Sequence, residues 1–572
     1  MALNAVLRGR VAGSLWRLPR PDLWTSGVVL VALLVALPVL VVASYLLHPA
    51  GEVWRHLVAT VLGLYVRNSL ILMAGVGVGT LALGVGAAWL ATMCDFPGRR
   101  VFEWTLLLPL AIPAYIIAYT YTGMLDYAGP VQSALRAWFG WSHGDYWFPD
   151  VRSLGGAVVM LSLVFYPYVY LLARTAFLEQ SAYMVDVSRT LGCGSWASFW
   201  RVSLPVARPA IIAGLSLALM ETLADYGTVQ YFGVPTFTTG IFRTWFGLGD
   251  SGAAAQLAAV LMLFVLVLVL AERWSRRRAR YHHVGSRSRS LRIYPLTGLR
   301  AALAWIGCAI PLGFGFVLPG VQLAVWAWRT APRNLDARFA QLAFNTVGLA
   351  VGAAAIAVSL ALLMAYGKRI RPRPMVNGAV RAAGLGYAVP GTVIAVGVML
   401  PFAALDNAVD AWMRLHFDIS TGLLLSGTLV ALLFAYTVRF LAVALQTVDA
   451  GLGKITRSMD EASRSLGCRA HEVVRRVHIP MLKGSLLTAI LLVVVDASKE
   501  LPATLILRPF NFNTLAVRAF ELASDERIED AASAALAIVA VGIIPVLVLS
   551  VSIARSRYRE HVAAPYAEAR PD

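Results

Sequence analysis

Long apolar runs recur along the chain and are separated by short polar segments. A helix needs about 20 apolar residues to cross the hydrocarbon core of a bilayer, and twelve runs are long enough. They are Trp24–Leu47, Ser69–Met93, Trp104–Leu125, Gly155–Ala173, Pro209–Phe232, Ala253–Ala271, Ala301–Val325, Phe344–Tyr366, Ala382–Leu405, Gly422–Leu445, Leu486–Leu507 and Ala531–Ala554. The pattern predicts an all-α, polytopic membrane protein with about twelve transmembrane helices.

Composition supports this prediction and excludes two other classes of protein. Of the 572 residues, 59% are hydrophobic and 14% are charged, whereas about a quarter of the residues in a soluble domain are charged. A soluble globular enzyme is therefore excluded. Disorder is excluded as well, because so apolar a chain does not remain unburied in water.

The positive charges are concentrated in alternate loops. Clusters begin at Arg99, Arg273, Lys368 and Arg555, and the intervening loops carry aspartates instead. Because basic loops of membrane proteins face the cytoplasm, we expect both termini to be cytoplasmic. We interpret the net charge of +18 as a membrane-surface feature rather than a nucleic-acid site.

An internal repeat divides the chain into two homologous halves. Asn68 and Asn345 lie 277 residues apart in similar segments, as do Pro113 and Pro390, and further pairs of matching residues lie 275 apart. We predict halves of six spans at 24–272 and 301–554, an N-terminal cytoplasmic segment 1–23, a basic linker 273–300 and a tail 555–572. Halves with an even number of spans share one membrane orientation, so a pathway at their interface is expected.

The loop between the fourth and fifth spans of each half carries the most specific signal. In the second half, Glu461, Ala462 and Ser463 are followed after three residues by Gly467 and later by Pro480. The first half has Asp186, Ser188, Gly192 and Pro205 at matching positions. The spacing predicts a short helix that ends at a left-handed glycine, then a second helical piece, with a proline that restarts the next segment.

This pattern resembles the E-A-A loop of binding-protein-dependent ABC importer permeases, although the first half departs from it at the opening positions. The resemblance implies a type I permease fold in the cell inner membrane and a periplasmic substrate-binding protein as partner. It also implies that loops 176–206 and 447–481 are coupling loops that seat in a cytoplasmic ABC ATPase dimer. The segment Gly451–Thr456 lacks the residues of a phosphate-binding loop. ATP and magnesium would therefore act at the partner, and this chain is expected to have no catalytic residue and no cofactor of its own.

Two segments bring the chain closer to the fused, two-half permeases for ferric iron. These are METLADYGTVQYFG after the first loop and KELPATLILRPFNFNTLAVRAFELASDERIEDAA after the second. An importer of thiamine, aminoethylphosphonate or another small solute remains an alternative within the same class. An ATP-independent secondary transporter is the alternative from another class.

Four carboxylates recur at equivalent positions within or near spans. Glu221 and Asp225 lie four residues apart, which places them on one helical face, and Asp496 and Glu500 are their counterparts. Intramembrane carboxylates often mark a pathway, and oxygen ligands suit hard cations such as ferric iron. A structural role, with neutralisation by Lys499 or by arginines across the bundle, is equally compatible with the sequence. No residue is assigned as a firm metal ligand.

Other side chains have simpler interpretations. We expect Tyr115, Tyr119, Tyr121 and Tyr226 to serve packing more often than a polar route, and His471 and His478 to be solvated or capping residues. The glycine pairs Gly75/Gly79 and Gly348/Gly352 have the spacing of close helix packing within lipid.

Overall fold

The computed structural model describes residues 23–49, 51–142, 144–179, 188, 190–277 and 294–567. Within these ranges, eleven helices are long and apolar enough to cross a membrane, or twelve if one sharply bent pair counts as a single span. This agrees with the predicted all-α, polytopic fold.

The first half contains helices α1 Leu23–Ser44, α2 Glu52–Thr60, α3 Leu62–Met93, α4 Arg99–Thr105, α5 Ala114–Leu125, α6 Pro130–Phe139, α7 Leu154–Glu179, α8 Ser195–Ser198, α9 Leu204–Ala224, α10 Gly227–Tyr231, α11 Phe237–Phe242 and α12 Ser251–Arg277. Strand β1 is Cys94–Asp95, and it pairs in parallel with strand β2, Tyr294–Pro295, just before the second half.

The second half contains helices α13 Gly298–Leu312, α14 Leu318–Asn334, α15 Ala337–Ile370, α16 Pro374–Ala383, α17 Gly391–Phe417, α18 Leu429–Leu452, α19 Arg457–Ser465, α20 Ala470–Val473, α21 Ile479–Ser498, α22 Pro502–Leu507, α23 Leu515–Ser524 and α24 Ile528–Ala567. Turns of 3-10 helix lie at Tyr45–Leu47, Leu108–Ala111 and Gly386–Ala388, and π-helical turns lie at Phe199–Ser203, Arg243–Gly247, Gly313–Val317 and Val474–His478. Helix α24 continues well past Ala554, the predicted end of the last span.

The repeat is visible in packing and in individual hydrogen bonds. Helices α3, α7 and α9 pack together in the first half, and α15, α18 and α21 do so in the second. Asn68 Nδ2 donates to the Pro235 carbonyl at 3.0 Å, and its counterpart Asn345 donates to the Asn513 carbonyl at 3.1 Å. The asparagine pair that revealed the repeat therefore serves one purpose twice, which is to bind the chain that returns after the fifth span.

The first helix of each half packs against the other half. Helix α1 contacts α15, α16 and α17, and α13 contacts α3 and α4. Trp24 of α1 meets Tyr366 edge-on with ring centroids 5.3 Å apart, and Gly397 of α17 allows the Pro38 backbone to approach closely. The halves are therefore interlocked by an exchange of helices.

Of the two predicted glycine pairs, the first brings helices into close contact and the second does not. A methyl group at Gly75 would meet Val158, and one at Gly79 would meet Ser162, so both glycines bring α3 close to α7. In contrast, nothing lies within 4 Å of a methyl group placed at Gly348, and one at Gly352 would make only an ordinary contact with Leu433. Tight packing at Gly348 was a wrong prediction.

Four predicted spans end or break earlier than their apolar runs. In the third and ninth spans a helix begins directly after Pro113 and Pro390, which share extended backbone angles (φ −56°, ψ 143° and φ −55°, ψ 142°). The chain bends by 90° at the first of these breaks. The fifth and eleventh spans end at Ala224 and Ser498 rather than continuing through Phe232 and Leu507.

At the end of the bundle opposite the candidate coupling loops, an ion pair joins the two halves. Arg152, just before α7, donates Nη1 and Nη2 to the two carboxylate oxygens of Glu526, each at 3.0 Å. The hydrogen bond from Arg152 lowers the pKa of Glu526, although burial opposes the shift. The carboxylate is therefore ionised near neutral pH.

Candidate functional site

The broken helix ends converge on a cavity of about 110 Å³ between the two halves. Its lining includes all four carboxylates singled out in the sequence, together with two cations. These six residues are Glu221, Asp225, Arg439, Asp496, Lys499 and Glu500. The cavity is large enough for several water molecules, and discontinuous helices form the binding sites of many membrane transporters.

Asp225 does not share a helical face with Glu221, which corrects the expectation from their spacing. Helix α9 ends at Ala224, and Asp225 has extended backbone angles. Its carboxylate accepts hydrogen bonds from the Thr228 hydroxyl at 3.0 Å and the Val229 amide at 3.1 Å. Asp225 therefore caps the start of α10, where a carboxylate also interacts favourably with the helix dipole.

Glu500 has the equivalent position in the second half. It lies beyond the end of α21 and accepts a hydrogen bond from the Ala503 amide at 3.2 Å, at the start of α22. Arg439 Nη1 also lies 3.0 Å from each of its two carboxylate oxygens. The Asp496–Glu500 pair, like its counterpart, is therefore split by a helix end.

Glu221 and Asp496 also face cations. Arg439 Nη2 lies 3.9 Å from Glu221 Oε2, and Lys499 Nζ lies 2.9 Å from Asp496 Oδ1. The structure thus brings the four predicted carboxylates to one cavity and supplies the neutralising cations of the structural interpretation. Within the described ranges, no three His, Cys, Asp or Glu side chains are grouped as a metal cage.

The four tyrosines divide between cavity and packing. Tyr115 and Tyr226 line the cavity, although Tyr226 also stacks on Phe242 with centroids 3.7 Å apart. Tyr121 donates to the Phe314 carbonyl at 2.6 Å, and Tyr119 packs edge-on against Tyr231. Packing is therefore an adequate account of Tyr119 and Tyr121 only.

Both candidate coupling loops turn at the predicted glycines. Gly192 and Gly467 have φ of 81° and 85°, a left-handed conformation that favours glycine. Of the other candidate residues, Glu461, Ala462 and Ser463 lie on α19, and Ser188 is buried with its hydroxyl 2.8 Å from that of Ser198. Asp186 lies outside the described residues.

The prolines after the loops do not restart a separate segment, contrary to expectation. Pro205 and Pro480 each follow a π-helical turn, and the helix runs without a break from Phe199 to Ala224 and from His471 to Ser498. The wider turn bonds each amide five residues back. Each loop is consequently joined rigidly to a membrane span.

Each glycine turn presents an exposed leucine. Leu191 and Leu466 precede the two glycines and are 77% and 85% exposed. Exposed apolar side chains therefore occupy equivalent positions in the two loops.

Comparison with known proteins shows which families and relatives the chain resembles. Residues 80–281 match the family described as binding-protein-dependent transport system inner membrane component. Over these residues the chain is similar to this family of permeases. It is 25% identical to the Fe(3+)-transport system permease protein FbpB 2 of Haemophilus influenzae over 543 residues, which cover 93% of this chain and 98% of that protein.

Two further relatives align with a smaller share of this permease or over a smaller share of their own length. The ferric transport system permease protein FbpB of Actinobacillus pleuropneumoniae is 24% identical over 77% of this chain and 64% of its own length. The molybdenum transport system permease protein ModB of Escherichia coli is 28% identical over 35% of this chain and 87% of its own length. The similarity to ModB therefore spans about a third of the permease.

A polar network ties the second candidate coupling loop of the permease to two spans. His478 is fully buried, and its Nε2 lies 2.7 Å from Asp460 Oδ1. Arg369 Nε donates to Asp460 Oδ2 at 2.6 Å, and its other nitrogens bond carbonyls at Leu452, Ile455 and Thr456. A solvated or capping role for His478 was therefore a wrong prediction, whereas His471 is exposed as expected.

The charge state of Asp460 follows from these contacts. Burial alone would raise the pKa of Asp460, but the hydrogen bonds from Arg369 and His478 outweigh it and hold the pKa below its usual value. The carboxylate is therefore ionised at neutral pH and binds Arg369 and His478 as an anion.

Sequence reasoning missed Arg439, the residue that most changes the character of the cavity. Its signal was present, because Arg439 interrupts the apolar run Gly422–Leu445 and an arginine inside a span is costly unless it has a partner or a function. The internal repeat gave no signal for this cation, because the matching helix α7 carries only Arg174 as a basic residue.

Proposed function

We propose that this permease carries ferric iron, delivered by a periplasmic binding protein, into the cytoplasm with energy from a separate ATPase. The observation that carries the substrate assignment is the similarity to an Fe(3+)-transport permease along 93% of the chain. The cavity supports it, because its four carboxylates offer the oxygen ligands preferred by a hard cation.

The partner ATPase would bind the two candidate coupling loops. Their equivalent geometry, the exposed Leu191 and Leu466, and the rigid joints to α9 and α21 suit a part that transmits movement from a cytoplasmic dimer. ATP and magnesium would act at that dimer, so this chain would hold no cofactor and catalyse no bond chemistry. The halves 24–272 and 301–554 would be the units that move.

The proposed orientation places both termini and both loops in the cytoplasm, as the basic clusters at Arg99, Arg273 and Lys368 favour. The cavity then lies toward the far ends of α9 and α21, near the face where a binding protein releases its cargo. Alternating access would carry the ion past the carboxylates and on to the cytoplasmic side.

Transport in proteoliposomes tests this proposal. The permease, reconstituted with its ATPase and supplied with ⁵⁵Fe(III)-loaded binding protein, is expected to accumulate iron with ATP but not with ADP. Glu221→Gln removes a cavity carboxylate and is expected to reduce uptake by about tenfold, equivalent to about 1.4 kcal/mol. Glu103→Gln is the matched control, because Glu103 is a buried carboxylate that pairs with Arg174 away from the cavity.

Three results would contradict the proposal. Uptake with ADP alone would indicate a secondary transporter. Uptake of thiamine or aminoethylphosphonate in place of iron, with the cognate binding protein, would keep the importer and change its substrate. Equal iron uptake in the Glu221→Gln and Glu103→Gln variants would remove the cavity from the pathway.

A further inference from the structure

Arg439 lies at the meeting point of the two halves inside the cavity. It belongs to α18 of the second half and is only 8% exposed. Its guanidinium binds Glu500 of its own half at 3.0 Å and lies 3.9 Å from Glu221 of the other half. One cation therefore neutralises carboxylates that both halves contribute.

Part of the hydrogen-bonding capacity at this point is unused. In the described part of the chain, neither Arg439 Nε nor the Tyr115 hydroxyl has a hydrogen-bond partner, although both atoms are buried and both residues line the cavity. Buried polar groups are rarely left unpaired. These two atoms therefore leave hydrogen-bonding capacity unused beside the cavity, and Arg439 has a donor available for a new partner if its side chain changes position.

The second half is adapted to hold the arginine. A methyl group at Gly391 would collide with Arg439 Nη1 and with Glu500 Oε1. The matching residue of the first half, 277 positions earlier, is Ala114. In that half, the buried arginine of the matching helix, Arg174, pairs with Glu103 at 3.6 Å instead of lining the cavity. Arg439 at the cavity is thus contributed by the second half, where Gly391 leaves backbone space for it.

We propose that Arg439 is a counter-ion that competes with the transported cation for Glu500 and Glu221. This inference rests on the proposed function. Four carboxylates against Arg439 and Lys499 leave the cavity with a formal excess of negative charge. Such a site without Arg439 would hold a trivalent cation tightly, whereas transport requires binding that is strong enough to admit the ion and weak enough to release it. Arg439 sets this balance by returning to the carboxylates as the ion leaves.

Iron retention by the purified permease–ATPase complex in nanodiscs tests the proposal. The complex is incubated with ⁵⁵Fe(III)-nitrilotriacetate, passed through a gel-filtration column and counted. Arg439→Gln is expected to retain about tenfold more iron than the unmodified complex, because a competing charge has been removed, and to import iron more slowly in proteoliposomes. Arg439→Lys keeps the charge but lacks the planar fork that binds both oxygens, so about threefold more retention is expected.

Arg174→Gln is the matched control, since it also removes a buried, ion-paired arginine from a span but does not alter the cavity. Its retention is expected to equal that of the unmodified complex. If Arg439→Gln does not assemble, Arg439→Lys alone decides. Retention that is unchanged or reduced in the assembled Arg439 variants would overturn the counter-ion proposal.

The two proposals fail in distinguishable ways. If the unmodified complex imports iron but the Arg439 variants retain no more of it, the counter-ion role is wrong and the substrate assignment stands. If the unmodified complex imports no iron but the variants still retain more, the carboxylates and Arg439 compete as proposed and the substrate assignment is wrong.

Discussion

At the scale of single residues, the glycine turns were predictable and the caps were not. A left-handed φ at Gly192 and Gly467 followed from their place after a short helical pattern, because glycine adopts that conformation at low cost. The sequence spacing of Glu221 and Asp225 suggested one helical face. It could not reveal that Asp225 leaves the helix to bind the Thr228 hydroxyl and Val229 amide, since local side-chain bonds compete with helix continuation.

The glycine turns give a prediction about coupling. Gly467→Val, or Gly192→Val, places a β-branched residue in the left-handed region at a cost of about 1–3 kcal/mol, so the loop is expected to shift. ATP hydrolysis should then continue with uptake reduced about tenfold and with little change in binding-protein affinity, as measured by the ratio of phosphate released to substrate imported.

Gly194→Val is the control for this experiment. Gly194 lies two residues from Gly192 in equally open space, but its φ is not positive. A coupling ratio that is disturbed as much by Gly194→Val as by Gly192→Val would show that bulk, rather than backbone conformation, matters in this loop.

At the scale of elements, the number of spans was predictable and their interruptions were only partly so. Apolar length identifies a crossing, but it does not locate a helix end, because a run such as Leu486–Leu507 stays apolar across the break after Ser498. Pro113 and Pro390 are a sequence signal for two of the breaks, because proline has no amide donor. The π-turns before Pro205 and Pro480 have no comparable sequence signal, and the prolines were consequently interpreted as helix starts.

The network of Asp460, Arg369 and His478 at the second candidate coupling loop gives a prediction about α19. Asp460→Asn removes the charge that binds Arg369 and His478, and a weakened, partly buried network is expected to cost about 2 kcal/mol. Hydrogen exchange in α19 should become about tenfold faster or more, and ATP hydrolysis should become less well coupled to uptake.

Asp449→Asn is the matched variant, because Asp449 pairs with Lys368 at 2.8 Å and both residues lie outside α19. Because the Asp460 pKa is lowered, its stabilising contribution is complete above the usual aspartate pKa of about 3.9 and is lost as the pH falls through the lowered value. Exchange rates in α19 that are unaffected by Asp460→Asn would refute the assigned role of this network.

At the scale of the whole molecule, the duplication was predictable and the exchange of helices was not. Sequence offsets reveal equivalent residues, but they do not tell which half a helix packs against, because an apolar face fits either partner in lipid. The contact between α1 and α17 and that between α13 and α3 are long-range features of the assembled bundle. Arg439 was missed for a related reason, since its partner Glu221 lies in the other half.

The Arg152–Glu526 pair gives a prediction about opening at the end opposite the coupling loops. Glu526→Gln removes a bidentate ion pair between the halves, and because both side chains are partly exposed, the expected effect is below about 1 kcal/mol. ATP hydrolysis without binding protein should rise by up to about fivefold.

The pair loses its contribution only below about pH 4, as the pH falls through the lowered Glu526 pKa.

Arg527→Gln is the comparison, because the Arg527–Asp530 ion pair lies within the second half. An equal rise in basal hydrolysis in both variants would mean that the loss of a surface charge, and not the link between the halves, is responsible.

Joining both halves in one polypeptide has a consequence for how the central arginine arose. In an assembly of two identical chains, symmetry would place a second guanidinium opposite the first, and the two like charges would repel each other across a narrow space. A tandem gene removes that constraint, because each copy mutates independently. The same asymmetry implies that a chain built from two copies of the second half would set four cations against four carboxylates and lose the negative excess at its centre.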